Sequence, residues 1–122
     1  MKKILLVEDN KLLRTSLEKG LVAVGYELET AENGAEGLKK AMEMGNELGI
    51  IISDIMMPIV DGYQMLKEIR INTILKDLPF IFLSAIADLD NLEKARELKV
   101  TDYLIKENIS IERLDELIKK YI

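Results

Sequence analysis

Cysteine is absent from the chain, which excludes a disulfide framework and any thiolate metal site. Histidine is absent as well. That removes the usual general base, the commonest zinc ligand and any phosphohistidine carried by this chain itself. No apolar run approaches the length of a membrane span. The start, Met1-Lys2-Lys3 followed by apolar residues, imitates a signal peptide only briefly, because Glu8-Asp9 cuts the stretch and no cleavage site follows. Positive charge is in deficit: the formal net charge is -5, which argues against a nucleic-acid-binding surface. Internal repeats, low-complexity segments and linkers are lacking too. These absences lead us to expect a cytoplasmic protein without direct nucleic-acid or membrane contacts. What is present is core: 48% of the 122 residues are hydrophobic, enough for one folded domain and too few residues for two.

The hydrophobic period changes repeatedly along the chain. Residues 3–8 read as a strand. Asn10 caps a helix in which Leu13, Leu17, Leu21 and Val24 share a face, and Gly25 ends it. Residues 26–31 alternate Tyr26, Leu28 and Thr30 against Glu27 and Glu29, the pattern of a half-exposed edge strand. Asn33-Gly34 opens a helix carrying Leu38, Ala41 and Met42, which closes near Gly45-Asn46. Residues 48–53 are almost unbroken aliphatics, as in a parallel strand buried on both faces. A loop containing Pro58 and Gly62 leads into a helix through Leu66, Ile69 and Arg70. Residues 79–84 form a fourth strand. Asp88 caps a helix running to about Leu98, and 101–105 form a fifth strand. Ser110 caps a last helix with Leu114, Leu117, Ile118 and Tyr121 inward. Five strands alternating with five helices predict a doubly wound α/β fold with a parallel sheet and right-handed crossovers. The expected order is 2-1-3-4-5, the flavodoxin-like arrangement.

The acids fall where this topology makes them matter. The first strand ends in Glu8-Asp9, the third in Asp54, the fourth in Ser84 and the fifth in Lys106. In an open α/β sheet the carboxyl ends of the strands share one edge, and ligands bind where the strand order reverses, here between strands 1 and 3. An acid after a strand is most often only a helix cap, and Asp9 alone would be read that way. Acids at two adjacent strand ends, with a lysine and a hydroxyl at two more, form a site. Clustered carboxylates repel unless a cation joins them, and hard oxygen donors without His or Cys favour Mg²⁺ or Mn²⁺. A carboxylate beside such a cation can act as a nucleophile toward phosphorus. Phosphoryl transfer needs mainly positioning and charge neutralisation, which the Lys106 ammonium and the Ser84 hydroxyl can add. Asp54 stands central among these groups.

Four segments, Ile4-Leu5-Leu6-Val7-Glu8-Asp9-Asn10, Asp54-Ile55-Met56-Met57-Pro58-Ile59-Val60-Asp61-Gly62, Ser84-Ala85 and Asp102-Tyr103-Leu104-Ile105-Lys106, occur in order and at matching spacing. Through them the whole chain, residues 1–122, resembles a bacterial two-component response regulator receiver domain of the chemotaxis-type, single-domain kind. The resemblance implies Asp54 as phosphoacceptor and Glu8 and Asp9 as acids of a Mg²⁺ site, with the Met56 backbone carbonyl as a further ligand. It implies Ser84 and Lys106 as the phosphoryl-sensing pair and Tyr103 as the aromatic whose rotamer reports phosphorylation. The implied partners are a sensor histidine kinase or phosphotransfer protein as donor, and a downstream protein met by the surface of the fourth helix, fifth strand and fifth helix. With no output domain expected, direct regulation of transcription is not. The implied activity is acceptance of a phosphoryl group and its later loss, not turnover of a substrate.

Three positions depart from the family pattern. Glu107 stands where a proline commonly follows the lysine in a cis peptide. The stretch from Lys106 to the last helix is one residue longer. Lys99 stands where a glycine often ends the fourth helix, which predicts a strained φ. A non-proline cis bond costs roughly 3 kcal/mol, so we expect a trans Lys106–Glu107 peptide, Lys106 still in salt-bridge range of Asp54, and Glu107 facing solvent. The alternatives fit less well. A receiver-like module that is never phosphorylated would lack part of the set. Mg²⁺-dependent phosphatase or nuclease sites of other α/β families would want Asp-x-Asp, which neither Asp9-Asn10-Lys11 nor Asp54-Ile55-Met56 supplies. A flavin binder would want a Ser/Thr/Gly-rich loop after the first strand, and Asp9-Asn10-Lys11-Leu12-Leu13 is not one.

Overall fold

The computed structural model describes residues 2–85 and 92–122. Its elements, in order, are β1 (Lys3–Val7), α1 (Lys11–Ala23), β2 (Leu28–Ala31), α2 (Gly34–Met44), β3 (Leu48–Asp54), α3 (Gly62–Ile71), β4 (Phe80–Ser84), α4 (Leu92–Glu97), β5 (Asp102–Ile105) and α5 (Ile111–Tyr121). Two 3-10 turns, Gly45–Glu47 and Lys106–Asn108, lie between α2 and β3 and between β5 and α5. The five strands pair in parallel in the order β2-β1-β3-β4-β5. The expected strand order and parallel pairing are therefore those observed.

Strand alternation divides the core. Leu5, Val7, Ile51, Phe80 and Phe82 point to the face covered by α2, α3 and α4, where Ala41, Met65, Leu66, Ile69 and Ala95 are buried. Ile4, Leu6, Ile50, Ile52, Ile81 and Leu83 point to the other face, under Leu17 and Leu21 of α1 and Leu114 and Ile118 of α5. Every residue of β3 is buried, as its unbroken aliphatic run requires, whereas β2 and β5 at the edges are only partly so.

Helix starts follow their side chains. Asn10 accepts the Leu13 amide at 3.0 Å, Asn33 the Glu36 amide at 2.8 Å and Ser110 the Arg113 amide at 3.2 Å. Asp61, not anticipated as a cap, completes a reciprocal pair with Gln64 at 2.9 and 3.1 Å. The cap assigned to Asp88 lies outside the described residues.

Several expectations need correcting. Strand β2 begins at Leu28, because the Tyr26 amide bonds to the Leu21 carbonyl and still belongs to the end of α1. Val24 is the C-terminal cap of α1 and exposed, so the inward face stops at Leu21. In α2 it is Met44 that turns inward and Met42 that is exposed. As expected, Lys99 has positive φ, 63°, and Gly25 ends α1 at φ 103°. Ile59 also has positive φ, 72°, which its sequence gave no reason to expect.

Glycine is required at the chain's closest approaches. A Cβ on Gly62 would stand 2.5 Å from the Asp54 carbonyl oxygen, so only glycine lets α3 start directly behind the end of β3. At the opposite edge of the sheet Lys2 and Ile122 both lie over Gly49, where a Cβ would meet their side chains at 2.4 and 2.7 Å. Among the described residues no helix is long and apolar enough to cross a membrane.

Candidate functional site

The carboxyl ends of β1 and β3 bring Glu8, Asp9 and Asp54 together. One oxygen from each lies within 4.8 Å of the others. Backbone pairing fixes this convergence: Val7 is opposite Ser53, so the residues that follow, Glu8-Asp9 and Asp54, leave the sheet side by side. Glu8 is fully buried, and Asp54 is 7% exposed. Asp9 is exposed at the mouth. The Asn10 amide donates to Glu8 Oε2 at 3.0 Å, and the Ile55 amide to Asp54 Oδ1 at 2.8 Å.

Lys106 opens the 3-10 turn after β5 and reaches across. Its Nζ stands 2.9 Å from Asp54 Oδ2 and 2.9 Å from Glu8 Oε1. The peptide that follows is trans, and Glu107 is exposed, as the missing proline led us to expect. The 3-10 turn, closed by the Ile109 amide on the Lys106 carbonyl at 3.2 Å, takes up the extra residue.

The electrostatics are those of one ammonium facing three carboxylates. Burial pushes the Asp54 carboxyl up, to about 7; the Lys106 bond pulls down, and the charges of Glu8 and the bond to Asp9 push up again. Burial also works against Asp9 and Lys106. At Asp9, bonds to Glu8 and Asp54 outweigh it and hold the carboxyl below its ordinary range. At Lys106, bonds to Glu8 and Asp54 outweigh it and hold the ammonium above its ordinary range.

Glu8 Oε1 is buried and, despite the nearby ammonium, receives no hydrogen bond of proper geometry. Three carboxylates converging on one ammonium leave negative charge uncompensated, which suits a cation. The donor set is all hard oxygen, which suits Mg²⁺ better than a soft metal.

The other predicted residues are placed as follows. Ser84, fully buried, ends β4 beside β3, and its hydroxyl donates to the Ala85 carbonyl at 3.1 Å. Tyr103 lies on β5, 38% exposed as a residue, with its amide donating to Asp102 Oδ1 at 2.8 Å. Met56 lies exposed in the loop after Asp54. That loop is closed by the Gly62 amide on the Ile55 carbonyl at 2.7 Å.

One neighbour was missed. Arg14 Nη1 donates to the Glu8 carbonyl at 2.8 Å, from the first turn of α1. The signal was available, since Arg14 shares a helical face with the buried Leu17 and Leu21, an unusual place for a guanidinium. A surface cavity of about 520 Å³ lies elsewhere, between the end of α3 and the end of α4. Its Arg70 is a clasp, donating to the carbonyls of Lys99, Lys76 and Leu78 at 2.9, 3.1 and 2.8 Å.

Both the fold and this cleft define a class. Residues 4–119 match the response regulator receiver domain family, and the chain belongs to it. It is 38% identical over 103 residues to the probable transcriptional regulator ycf27 of Cyanidium caldarium, covering 84% of this chain and 39% of that protein. The chain thus spans less than half the length of the curated relatives it matches. Among solved structures it resembles the chemotaxis protein CheY4 of Vibrio cholerae, with a TM-score of 0.90 at 29% identity, covering 100% of this chain and 99% of that one. It also resembles the receiver domain of the sensor histidine kinase PA1611 from Pseudomonas aeruginosa, with a TM-score of 0.88 at 28% identity, covering 98% and 96%. That structure has a magnesium ion coordinated in its active-site cleft. Receiver domains are phosphoacceptor signalling modules that histidine kinases phosphorylate. The acidic cleft of this chain is suited to cation-dependent phosphorylation of an aspartate.

Proposed function

We propose that Asp54 is the phosphoacceptor, and that its phosphorylation by a histidine kinase or phosphotransfer protein switches a protein-binding face. The observation that carries the reading is the Lys106 Nζ contact with Asp54 Oδ2, 2.9 Å, beside two further acids at the same sheet edge. The ionised Asp54 carboxylate attacks phosphorus. An aspartyl O–P bond forms as the donor's P–N bond breaks, and the imidazole nitrogen keeps the electron pair. Lys106 then exchanges its Asp54 partner for a phosphoryl oxygen, holding positive charge where negative charge arrives. The Ser84 hydroxyl leaves the Ala85 carbonyl and donates to a second phosphoryl oxygen. Tyr103 follows by turning inward from its half-exposed position.

The residues that would hold Mg²⁺ are Glu8, Asp9, Asp54 and the Met56 carbonyl, and the cation would neutralise the remaining phosphoryl charge. Support for Mg²⁺ comes from the three convergent carboxylates, which a single ammonium leaves incompletely balanced, and the all-oxygen donor set. The output surface in this reading is α4, β5 and α5, next to Ser84 and Tyr103, and the signal leaves by protein contact in a cytoplasmic setting. Likeness to CheY4 over nearly the whole of that chain supports the chemotaxis-type mode of output.

The test is incubation with Mg²⁺ and acetyl phosphate, read by intact mass. One phosphoryl adduct is expected. Asp54→Asn should gain none, and EDTA should abolish labelling of the wild type. An adduct that persists in Asp54→Asn would remove Asp54 from its role.

A further inference from the structure

We propose that Arg14 is a positioning residue for the cleft: its guanidinium clamps the β1–α1 turn and so sets where the Glu8 and Asp9 carboxylates stand relative to Asp54. The inference rests on the phosphoacceptor reading and adds a residue to it.

The geometry is specific. Helical side chains tilt toward the helix N-terminus, so Arg14, on the first turn of α1, points back at the turn that carries the acids. Nη1 donates to the Glu8 carbonyl at 2.8 Å and makes a longer contact, 3.5 Å, with the Asp9 carbonyl. The group is largely buried, its side chain 15% exposed. The Glu8 residue is hydrogen-bonded at every polar position but one. Its amide bonds to the Ala31 carbonyl at 3.0 Å, its carbonyl accepts from Arg14 at 2.8 Å, and its Oε2 accepts the Asn10 amide at 3.0 Å. The remaining atom is Oε1, which the Lys106 ammonium meets at 2.9 Å. Arg14 therefore fixes the Glu8 backbone and leaves the side-chain carboxylate to Lys106 and the cation site.

A guanidinium suits the task. It presents several donors in a rigid fork and remains charged at any working pH. Its only ion pair, among the described residues, is a loose one, 3.9 Å from the exposed Glu32. The backbone clamp is the stronger bond.

The clamp and a simple charge effect predict opposite signs. A cation near the acids repels Mg²⁺, so on charge alone Arg14→Ala should bind Mg²⁺ more tightly. If Arg14 orders the turn, its loss should weaken binding despite the lost repulsion, on the order of 10-fold, as for other residues that orient metal ligands. The experiment is a calorimetric Mg²⁺ titration of wild type, Arg14→Ala, Arg14→Lys and Glu32→Ala, at a temperature where each is folded. It is joined to amide exchange at Asn10 in the metal-free proteins.

The clamp predicts a raised Mg²⁺ dissociation constant in Arg14→Ala and partial recovery in Arg14→Lys. It predicts no change in Glu32→Ala, and faster Asn10 exchange in Arg14→Ala. A folded Arg14→Ala that binds Mg²⁺ as well as wild type, or better, would overturn it. Should wild type itself take up no Mg²⁺, the cation reading of the cleft fails, and Asn10 exchange alone decides. Unchanged protection in Arg14→Ala would then sink the clamp.

Discussion

At the scale of single residues the decisive fact is that Asp54 is both the buried acid and the crowded one. Its ordinary pKa of 3.8 is pushed up to about 7, by burial first and by Glu8 and Asp9 after it. The folded protein thus holds a proton at pH values where the unfolded chain has released it. Below about pH 4 Asp54 is neutral in both states. Between about 4 and 7 the unfolded state gains by ionising and the folded state does not, so the metal-free protein loses stability as pH rises through that window. Above it the loss is complete. Asp9, held below its ordinary range, contributes in the opposite sense, and its contribution is lost at lower pH, as the medium falls through the folded pKa. Replacing Asp54 with Asn should flatten the Asp54 slope. It should also raise the metal-free melting temperature at pH 7.5, by about 3–5 °C for relief on the order of 1 kcal/mol. Mg²⁺ should stabilise wild type more than the variant. Thermal melts across pH check both, and a lower melting temperature in metal-free Asp54→Asn would mean that this acid is structural. Residue types at strand ends made these acids legible in the sequence. The helical face that Arg14 shares with Leu17 and Leu21 marked it as unusual, but its partners are backbone carbonyls, which leave no trace in residue type.

At the scale of elements, periodicity and cap residues located every strand and most helix boundaries. The misses have local causes. Val24 and Met42 continued an apolar spacing one step beyond where the helix turns that face to solvent. The 3-10 turn at Lys106–Asn108 was foreseen only as an extra residue, because a single tight turn has no period to detect. The loop after Asp54 holds the least legible feature. The Val60 amide bonds to the Pro58 carbonyl at 2.9 Å across Ile59, whose φ is 72°. That is a three-residue turn of the rare, strained hand, with a β-branched residue, 79% exposed, at its centre. Strain of this kind costs on the order of 1–3 kcal/mol, and glycine gives back about 0.5–1 kcal/mol through the unfolded chain. Ile59→Gly should therefore raise stability by about 1 kcal/mol, measured by urea unfolding of the metal-free protein. Lys99→Gly, at φ 63°, should act in the same direction. A loss of stability in both variants would show that the surrounding contacts, not the backbone, set these conformations.

At the scale of the whole molecule, alternation of strands with helices made the sheet order legible, and the sheet order made the cleft legible. What periodicity could not show is how the last helix is fastened. The Tyr26 hydroxyl donates to Asp115, a bond between residues 89 apart in sequence, and the Tyr121 hydroxyl donates to Asp102 at 2.7 Å. Burial first, then the Asp115 carboxylate, pushes the Tyr26 hydroxyl up to about 12, so the clasp stays donor-to-acceptor at every working pH. α5 is thereby held near its middle and at its C-terminal end, and α4 meets the body of the fold through Ala95, Leu98 and a Lys94 ammonium 4.6 Å from the centre of the Tyr63 ring. Tyr121→Phe should cost about 1 kcal/mol in urea unfolding and leave acetyl phosphate labelling unchanged; an equal loss of labelling would tie the clasp to the cleft. The two strands of chain that cross at Gly49 carry a different consequence. Lys2 and Ile122 meet over that glycine, at the edge of the sheet remote from Asp54. Any polypeptide joined at either end departs from the far pole of the molecule, so cargo can be hung there while the acceptor's doorway stays open.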